Sequence, residues 1–464
     1  MRSKRIERNF YTSKHINVLK INIGTNRNLN MSEFNSNLDN REIDSVIVSP
    51  ARLEGKVKVS GAKNSVLRLM AATLLTEEPV SIHNYPATLL DAIVHKDMLE
   101  VLGKECIVED DILFVKEPTG IKAKLDWDGR SIRNTLLILG GLVARTGFGA
   151  VPLPGGCSIG GGSGDRAYDL HIMLLEKLGA RVWEEDGYLC AESKDGKLRG
   201  ADIHLPIRST GATENAIIAG SLAHGVTRIW NPHVRPEILD LIDMMNSMGA
   251  QITVFGQEHI EIVGKDSLRG TSHTVIPDNV EALTWLVGSA VTNGEIEIID
   301  FPYQHLEIPL IFLRESGANL YRNNNSLIVK GSKCYPLEMS TGPYPGINSD
   351  MQPIFAVYAA KALGQSKFVD LRFPGRYGYA TELNKMGLDS TVDENLLKIN
   401  GGNPLRGNTV TALDLRAGIA LTLAGLFAEG ETKIQDAWQI TRGYDQFIGK
   451  MNSLGATLHP TYKK

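Results

Sequence analysis

The feature that most constrains the fold is a helix-ending motif that recurs six times: Leu102-Gly103, Leu178-Gly179-Ala180, Met248-Gly249-Ala250, Ser316-Gly317-Ala318, Met386-Gly387-Leu388 and Leu454-Gly455-Ala456. A spacing of about seventy residues makes the chain six copies of one supersecondary unit. Glycine just past a helix supplies a left-handed cap, and the run Arg181-Val182-Trp183-Glu184-Glu185-Asp186-Gly187-Tyr188-Leu189 reads as strand, turn, strand. Each copy also holds an earlier, more apolar stretch, beginning near Lys63, Arg133, Gly211, Asp278, Asp350 and Asp414. Bodies such as Ile419-Ala420-Leu421-Thr422-Leu423-Ala424-Gly425-Leu426-Phe427 are apolar nearly all round, as in a helix buried on every side. The pattern predicts an α/β fold of β-α-β-α-β-β units with helices inside and sheets on the faces. A single core seldom grows past about 250 to 300 residues, so a chain of 464 residues predicts two lobes of three units each.

Composition narrows the class. Hydrophobic residues are 42% and charged residues 22% of the chain, ordinary values for a globular enzyme. A net charge of −4 makes no electrostatic case for a nucleic-acid partner. No apolar run approaches the roughly twenty residues of a membrane span. The four cysteines, Cys106, Cys157, Cys190 and Cys334, have no C-x-x-C spacing, so neither a disulfide framework nor a metal site is expected, and the cytoplasm is the expected compartment. Residues 1–42 are rich in Asn, Lys, Arg and Ser, have no continuous apolar segment of the kind a secretory signal carries, and are expected to form a disordered tail.

The chemistry begins with Pro154-Gly155-Gly156-Cys157-Ser158-Ile159-Gly160, a thiol among glycines. Such a composition packs no core and suits a loop that approaches a ligand closely. Arg166, nine residues on, is placed to hold an anion beside the thiol or to favour its thiolate. Lys63, Arg133 and Arg416 stand in the first turns of buried helices, where the helix dipole disfavours a cation unless an anion neutralises it. Taken singly, each is better explained by a salt bridge to a neighbouring carboxylate; together with Arg166 and Arg442 they point to an anionic substrate.

Gly61-Ala62-Lys63-Asn64, the cysteine loop, Asp169-Leu170-His171, Ser349-Asp350-Met351-Gln352, Asp414-Leu415-Arg416-Ala417 and Arg442-Gly443-Tyr444 resemble the motifs of the UDP-N-acetylglucosamine enolpyruvyl transferase family, in order from about Val46 to the C-terminus. The resemblance implies a two-lobed inside-out α/β barrel, with residues 63–276 as first lobe and 43–62 plus 277–464 as second. It implies no cofactor, and as partners phosphoenolpyruvate and a uridine nucleotide. Lys63, Arg133, Arg166, Arg376 and Arg442 would hold phosphoenolpyruvate. Cys157 would protonate its methylene carbon, and this thiol would be the target of the epoxide fosfomycin. Asp350 would assist deprotonation of the acceptor hydroxyl, and Arg416 would help close the site on the anionic intermediate. Asn64, Asp169, Leu170, Ser209, Thr210, Gly211 and Asp278 would border the acceptor.

Local readings remain beside these roles. Asp350 and Asp278 each precede an apolar helix and suit its N-cap, and His171 suits a buried structural role. The chain also departs from the family pattern: the cysteine loop is about four residues longer through Gly161-Gly162-Ser163-Gly164, Arg235 replaces an acidic residue before Pro236-Glu237, Leu137 replaces a tryptophan, and Ile207 and Arg208 precede Ser209. These changes fall on the acceptor side and leave open a paralogue acting on another nucleotide such as uridine monophosphate, with Arg235 receiving its phosphate. An RNA 3′-phosphate cyclase-like protein, which reuses the same type of unit, is disfavoured by the acidic balance and the cysteine loop.

Overall fold

All six of the recurring glycines adopt a left-handed backbone, with φ between 87° and 104°. Each follows a helix and leads into a strand, for example Leu90–Val101 into Glu105–Glu109 and Pro236–Ser247 into Gln251–Phe255. A residue with a Cβ would be strained there, so the sequence motif and the chain reversal have one cause. The computed structural model describes residues 42–154 and 168–463. Cys157, Arg166 and the predicted tail up to residue 41 lie outside the described residues.

The described strands form six sheets in a mixed α/β arrangement. One sheet shows the recurring order: Glu54–Lys58 runs parallel to Glu295–Ile299, which pairs antiparallel with Ser326–Lys330, itself antiparallel to Asn319–Arg322. Two pairings join distant segments. Ile43–Ser49 lies antiparallel between Thr432–Gln435 and Thr457–Tyr462, and Thr271–Thr274 runs parallel to Val80–His83.

The more apolar helix of each copy is Lys63–Ala72, Thr135–Thr146, Thr210–Gly220, Asn279–Val291, Gln352–Lys361 and Leu415–Gly425. They are buried nearly all round, and Asn279–Val291 is buried at every position. The other helices are one-sided, as in Glu307–Glu315, which buries only Pro309, Leu310 and Leu313.

Buried apolar side chains separate into two cores. One runs from Val66 to Val275; the other takes Val46 to Val59 together with Val280 to Leu458. The backbone passes between them twice, and the two passages are tied side by side: the Ala62 N–H donates to the Ile276 carbonyl at 2.8 Å and the Asp278 N–H to the Ser60 carbonyl at 2.9 Å. Gly61 sits in this crossing, where a Cβ would lie 2.0 Å from the Asn84 carbonyl oxygen, so no other residue fits.

Candidate active site

The buried helices begin at one cavity of about 750 Å³, lined by side chains that flank both cores. Lys63 and Asn64 open one of them and Thr210 and Gly211 another, Asp350 and Leu415 stand at two starts on the other side, and the one-sided helix opened by Asp169 and Leu170 begins there too. Helix N-termini present unpaired N–H groups and a partial positive charge, so this convergence favours an anion.

Two clusters of charge face the cavity. In the first, Asp91 accepts from Lys63 Nζ at 2.8 Å and from Arg442 Nε at 3.0 Å. Burial disfavours charge on both Asp91 and Lys63. At Asp91 the two cations outweigh burial and hold the carboxyl below the usual range; at Lys63 burial prevails, helped by Arg442 and Arg416, and the ammonium pKa falls. In the second cluster Asp350 accepts from Arg376 Nη1 at 2.8 Å and faces Arg416 Nη2 at 3.4 Å, and Arg376 also lies 3.6 Å from Asp414. Burial opposes the charge of both arginines, and the carboxylates more than offset it.

Asp350 is therefore not the helix cap that its sequence position suggests. The N-cap of Gln352–Lys361 is Met351, which makes no side-chain capping bond, and the Asp350 oxygens turn toward the two arginines. Capping falls instead to Asp278, which accepts from the Val280 and Glu281 N–H groups and also from that of Lys63, and to Asp414, which accepts from those of Arg416 and Ala417. Asp278 and Arg416 are buried and do not line the cavity; Arg416 lies behind Asp350, with its guanidinium 5.7 Å from the Tyr444 ring centre. Lys63, Asn64, Arg133, Asp169, Leu170, Ser209, Thr210, Gly211, Asp350, Arg376 and Arg442 all line it. His171 is buried, bonded through Nδ1 to Asn215 at 3.0 Å, and pushed down to about 3 by burial, which fits the structural reading.

Four departures from the family pattern, Leu137, Ile207, Arg208 and Arg235, line the same cavity. Arg235 makes two 2.6 Å bonds to Glu237 and is buried with it, so its charge is answered two residues away rather than offered to a ligand. Beside it, the His233 imidazole is pushed down to about 4 by burial and Arg235. Neutral His233 accepts from the Tyr344 N–H through Nε2 at 3.4 Å, which leaves its Nδ1 proton for Thr210 Oγ1 at 2.8 Å. Sequence reasoning missed Asp91, Glu237 and His233. An acidic residue in a first helical turn, as Asp91 is, already has a local explanation in the dipole and gives no sign of a distant partner.

The family model of EPSP synthase (3-phosphoshikimate 1-carboxyvinyltransferase) matches residues 47–451. The chain belongs to the enolpyruvyl transferase family. This transferase is 40% identical over 415 residues to UDP-N-acetylglucosamine 1-carboxyvinyltransferase 1 of Carboxydothermus hydrogenoformans, covering 89% of this chain and 97% of that one. It is 37% identical over 418 residues to UDP-N-acetylglucosamine 1-carboxyvinyltransferase of Caulobacter sp. strain K31, covering 88% and 95%. Among solved structures, the transferase fold matches that of the enolpyruvyl transferase NikO from Streptomyces tendae with a TM-score of 0.82 at 24% identity, over 91% of this chain and 100% of that one. EPSP synthase from Acinetobacter baumannii matches with a TM-score of 0.73 at 21% identity, over 90% and 100%. Among the described residues no helix is long and apolar enough to cross a membrane.

Proposed function

We propose that this transferase moves the enolpyruvyl group of phosphoenolpyruvate to the 3-hydroxyl of UDP-N-acetylglucosamine and releases phosphate, as a step of peptidoglycan precursor synthesis. The observation that carries this reading is similarity along nearly the whole chain, at 35% to 40% identity, to proteins named for that acceptor. The cavity volume lies within the range of about 300–1,000 Å³ usual for ligand sites.

The two cores are the two lobes, residues 63–276 and residues 43–62 plus 277–464, each an inside-out barrel of three β-α-β-α-β-β units, and the substrates lie between them. Lys63, Arg133, Arg166, Arg376 and Arg442 hold the phosphate and carboxylate of phosphoenolpyruvate. Asn64, Asp169, Leu170 and the Ser209-Thr210-Gly211 helix start border the nucleotide, with Asp278 fixing the neighbouring backbone. Asp350 takes the proton of the acceptor hydroxyl while that oxygen bonds to C2 of the enol phosphate, and the Cys157 thiol delivers a proton to C3. Arg416 and Arg376 keep Asp350 in place and stabilise the anionic tetrahedral ketal. The C2–O bond to phosphate then breaks, C3 returns a proton to the Cys157 thiolate as the double bond re-forms, and the departing phosphate takes the proton held by Asp350.

The test is phosphate release from phosphoenolpyruvate with UDP-N-acetylglucosamine or with uridine monophosphate, followed by mass analysis for the added enolpyruvyl group. Turnover with the sugar nucleotide is expected. Turnover with uridine monophosphate alone would overturn the acceptor, for which the buried Arg235–Glu237 pair leaves no spare cation at that position.

A further inference from the structure

We infer that Asp91 is a positioning residue for phosphoenolpyruvate: an internal anion that holds Lys63 and Arg442 side by side at the site and offsets their mutual repulsion until the substrate brings its own negative charge. The inference rests on the phosphoenolpyruvate reading of this cavity.

The geometry is specific. Asp91 opens the helix Leu90–Val101 of one core; Arg442 belongs to the other, between Ile440 and Tyr444. The Asp91 carboxylate spans that division, with Oδ1 on Arg442 Nε at 3.0 Å and Oδ2 shared between Lys63 Nζ at 2.8 Å and Arg442 Nη2 at 3.4 Å. All three residues line the cavity, and each side chain is mostly withdrawn from solvent. Two buried cations so close would otherwise repel each other, and a carboxylate between them fixes both in one arrangement.

Lys63 shows what the carboxylate does. Among the described residues, the charged groups that act most on it are Asp91 on one neighbouring helix and, from the other core, Arg442 and Arg416. Burial and both arginines favour the neutral amine, and among these groups Asp91 opposes them. The Lys63 backbone N–H is held separately by Asp278, so removing Asp91 frees the side chain without releasing the helix start. Without Asp91, the empty site holds a more readily deprotonated Lys63 and an Arg442 that has lost this carboxylate. A neutral amine cannot neutralise a phosphate.

Asp91→Asn keeps the shape and one acceptor oxygen while removing the charge. The measurement is kcat/KM for phosphoenolpyruvate between pH 6 and 10, with KM for the acceptor and calorimetric binding of phosphoenolpyruvate alongside. The alkaline limb, which reports the free enzyme, is expected to move to lower pH by about one to three units. At pH 8 KM for phosphoenolpyruvate should rise by about tenfold or more, with the acceptor KM within about twofold, and the deficit should narrow toward pH 6 as Lys63 regains its proton. Asp91→Glu, which keeps the charge, should leave the limb near its wild-type position. Asp91→Ser makes the same test if the amide variant does not fold. An alkaline limb unmoved in Asp91→Asn, or an equal rise of both KM values at every pH, would overturn the inference alone. Wild-type protein that binds no phosphoenolpyruvate would overturn the functional reading and this inference with it.

Discussion

Asp350→Asn separates catalysis from charge pairing. The carboxylate is three-quarters buried and serves Arg376 at 2.8 Å and Arg416 at 3.4 Å. Breaking a buried pair costs about 3–5 kcal/mol when one charge is left without a partner. Here Arg376 keeps Asp414 at 3.6 Å, and the amide oxygen still accepts from one guanidinium. The stability cost of the Asn variant should therefore fall to about 1–2 kcal/mol. The catalytic cost is larger, since an amide cannot take the acceptor proton: turnover should fall by about a hundredfold to ten-thousandfold, or about 3–5 kcal/mol of barrier. Phosphate release at saturating substrates gives the first number and the urea unfolding midpoint the second. Turnover within about tenfold of wild type, with the midpoint shifted as expected, would refute the reasoning and leave Asp350 as a counter-ion for two arginines.

The remaining predictions concern the thiols and the second buried ion pair. Fosfomycin should alkylate Cys157 alone, because burial pushes Cys106 up to about 12 and raises Cys190 and Cys334, leaving those three with little thiolate at neutral pH; peptide mass spectrometry that finds the adduct on any of the three would reject the assignment. The Glu237 carboxyl, despite burial, is held below its ordinary 4.5 by Arg235. A depressed carboxyl adds stability above its unfolded pKa and loses it as pH falls through the folded one, so this contribution should fade below about pH 4.5. Arg235→Ala leaves Glu237 buried without that partner, should cost about 3–5 kcal/mol at pH 8, and should reverse the trend so that the variant gains on wild type as pH falls; parallel pH–stability curves would exclude the pairing.

Whatever depends on one turn of chain was legible in the sequence. The six glycines had to take left-handed φ because a helix was ending and only glycine adopts that conformation without strain, and the helix beginning near Lys63 announced its burial by being apolar on most of its faces. The order of motifs from Lys63 to Arg442 likewise pointed to a site built on helix starts. Tertiary structure alone decided which partner each charged side chain took. Asp350 sits where a cap belongs, yet it turns to Arg376 and to Arg416, sixty-six residues away in the chain. Asp91 looks like an ordinary acidic first-turn residue until Arg442, 351 residues away, is brought against it. Arg235 stands beside Glu237 in the sequence, but only their common burial turns two neighbouring charges into a closed pair. The first strand, Ile43–Ser49, finds its place between strands from the far end of the chain. Backbone conformation follows local sterics, which each short segment carries with it, whereas a buried charge or a strand edge is satisfied by whatever group packing brings within reach, and that choice belongs to the whole fold.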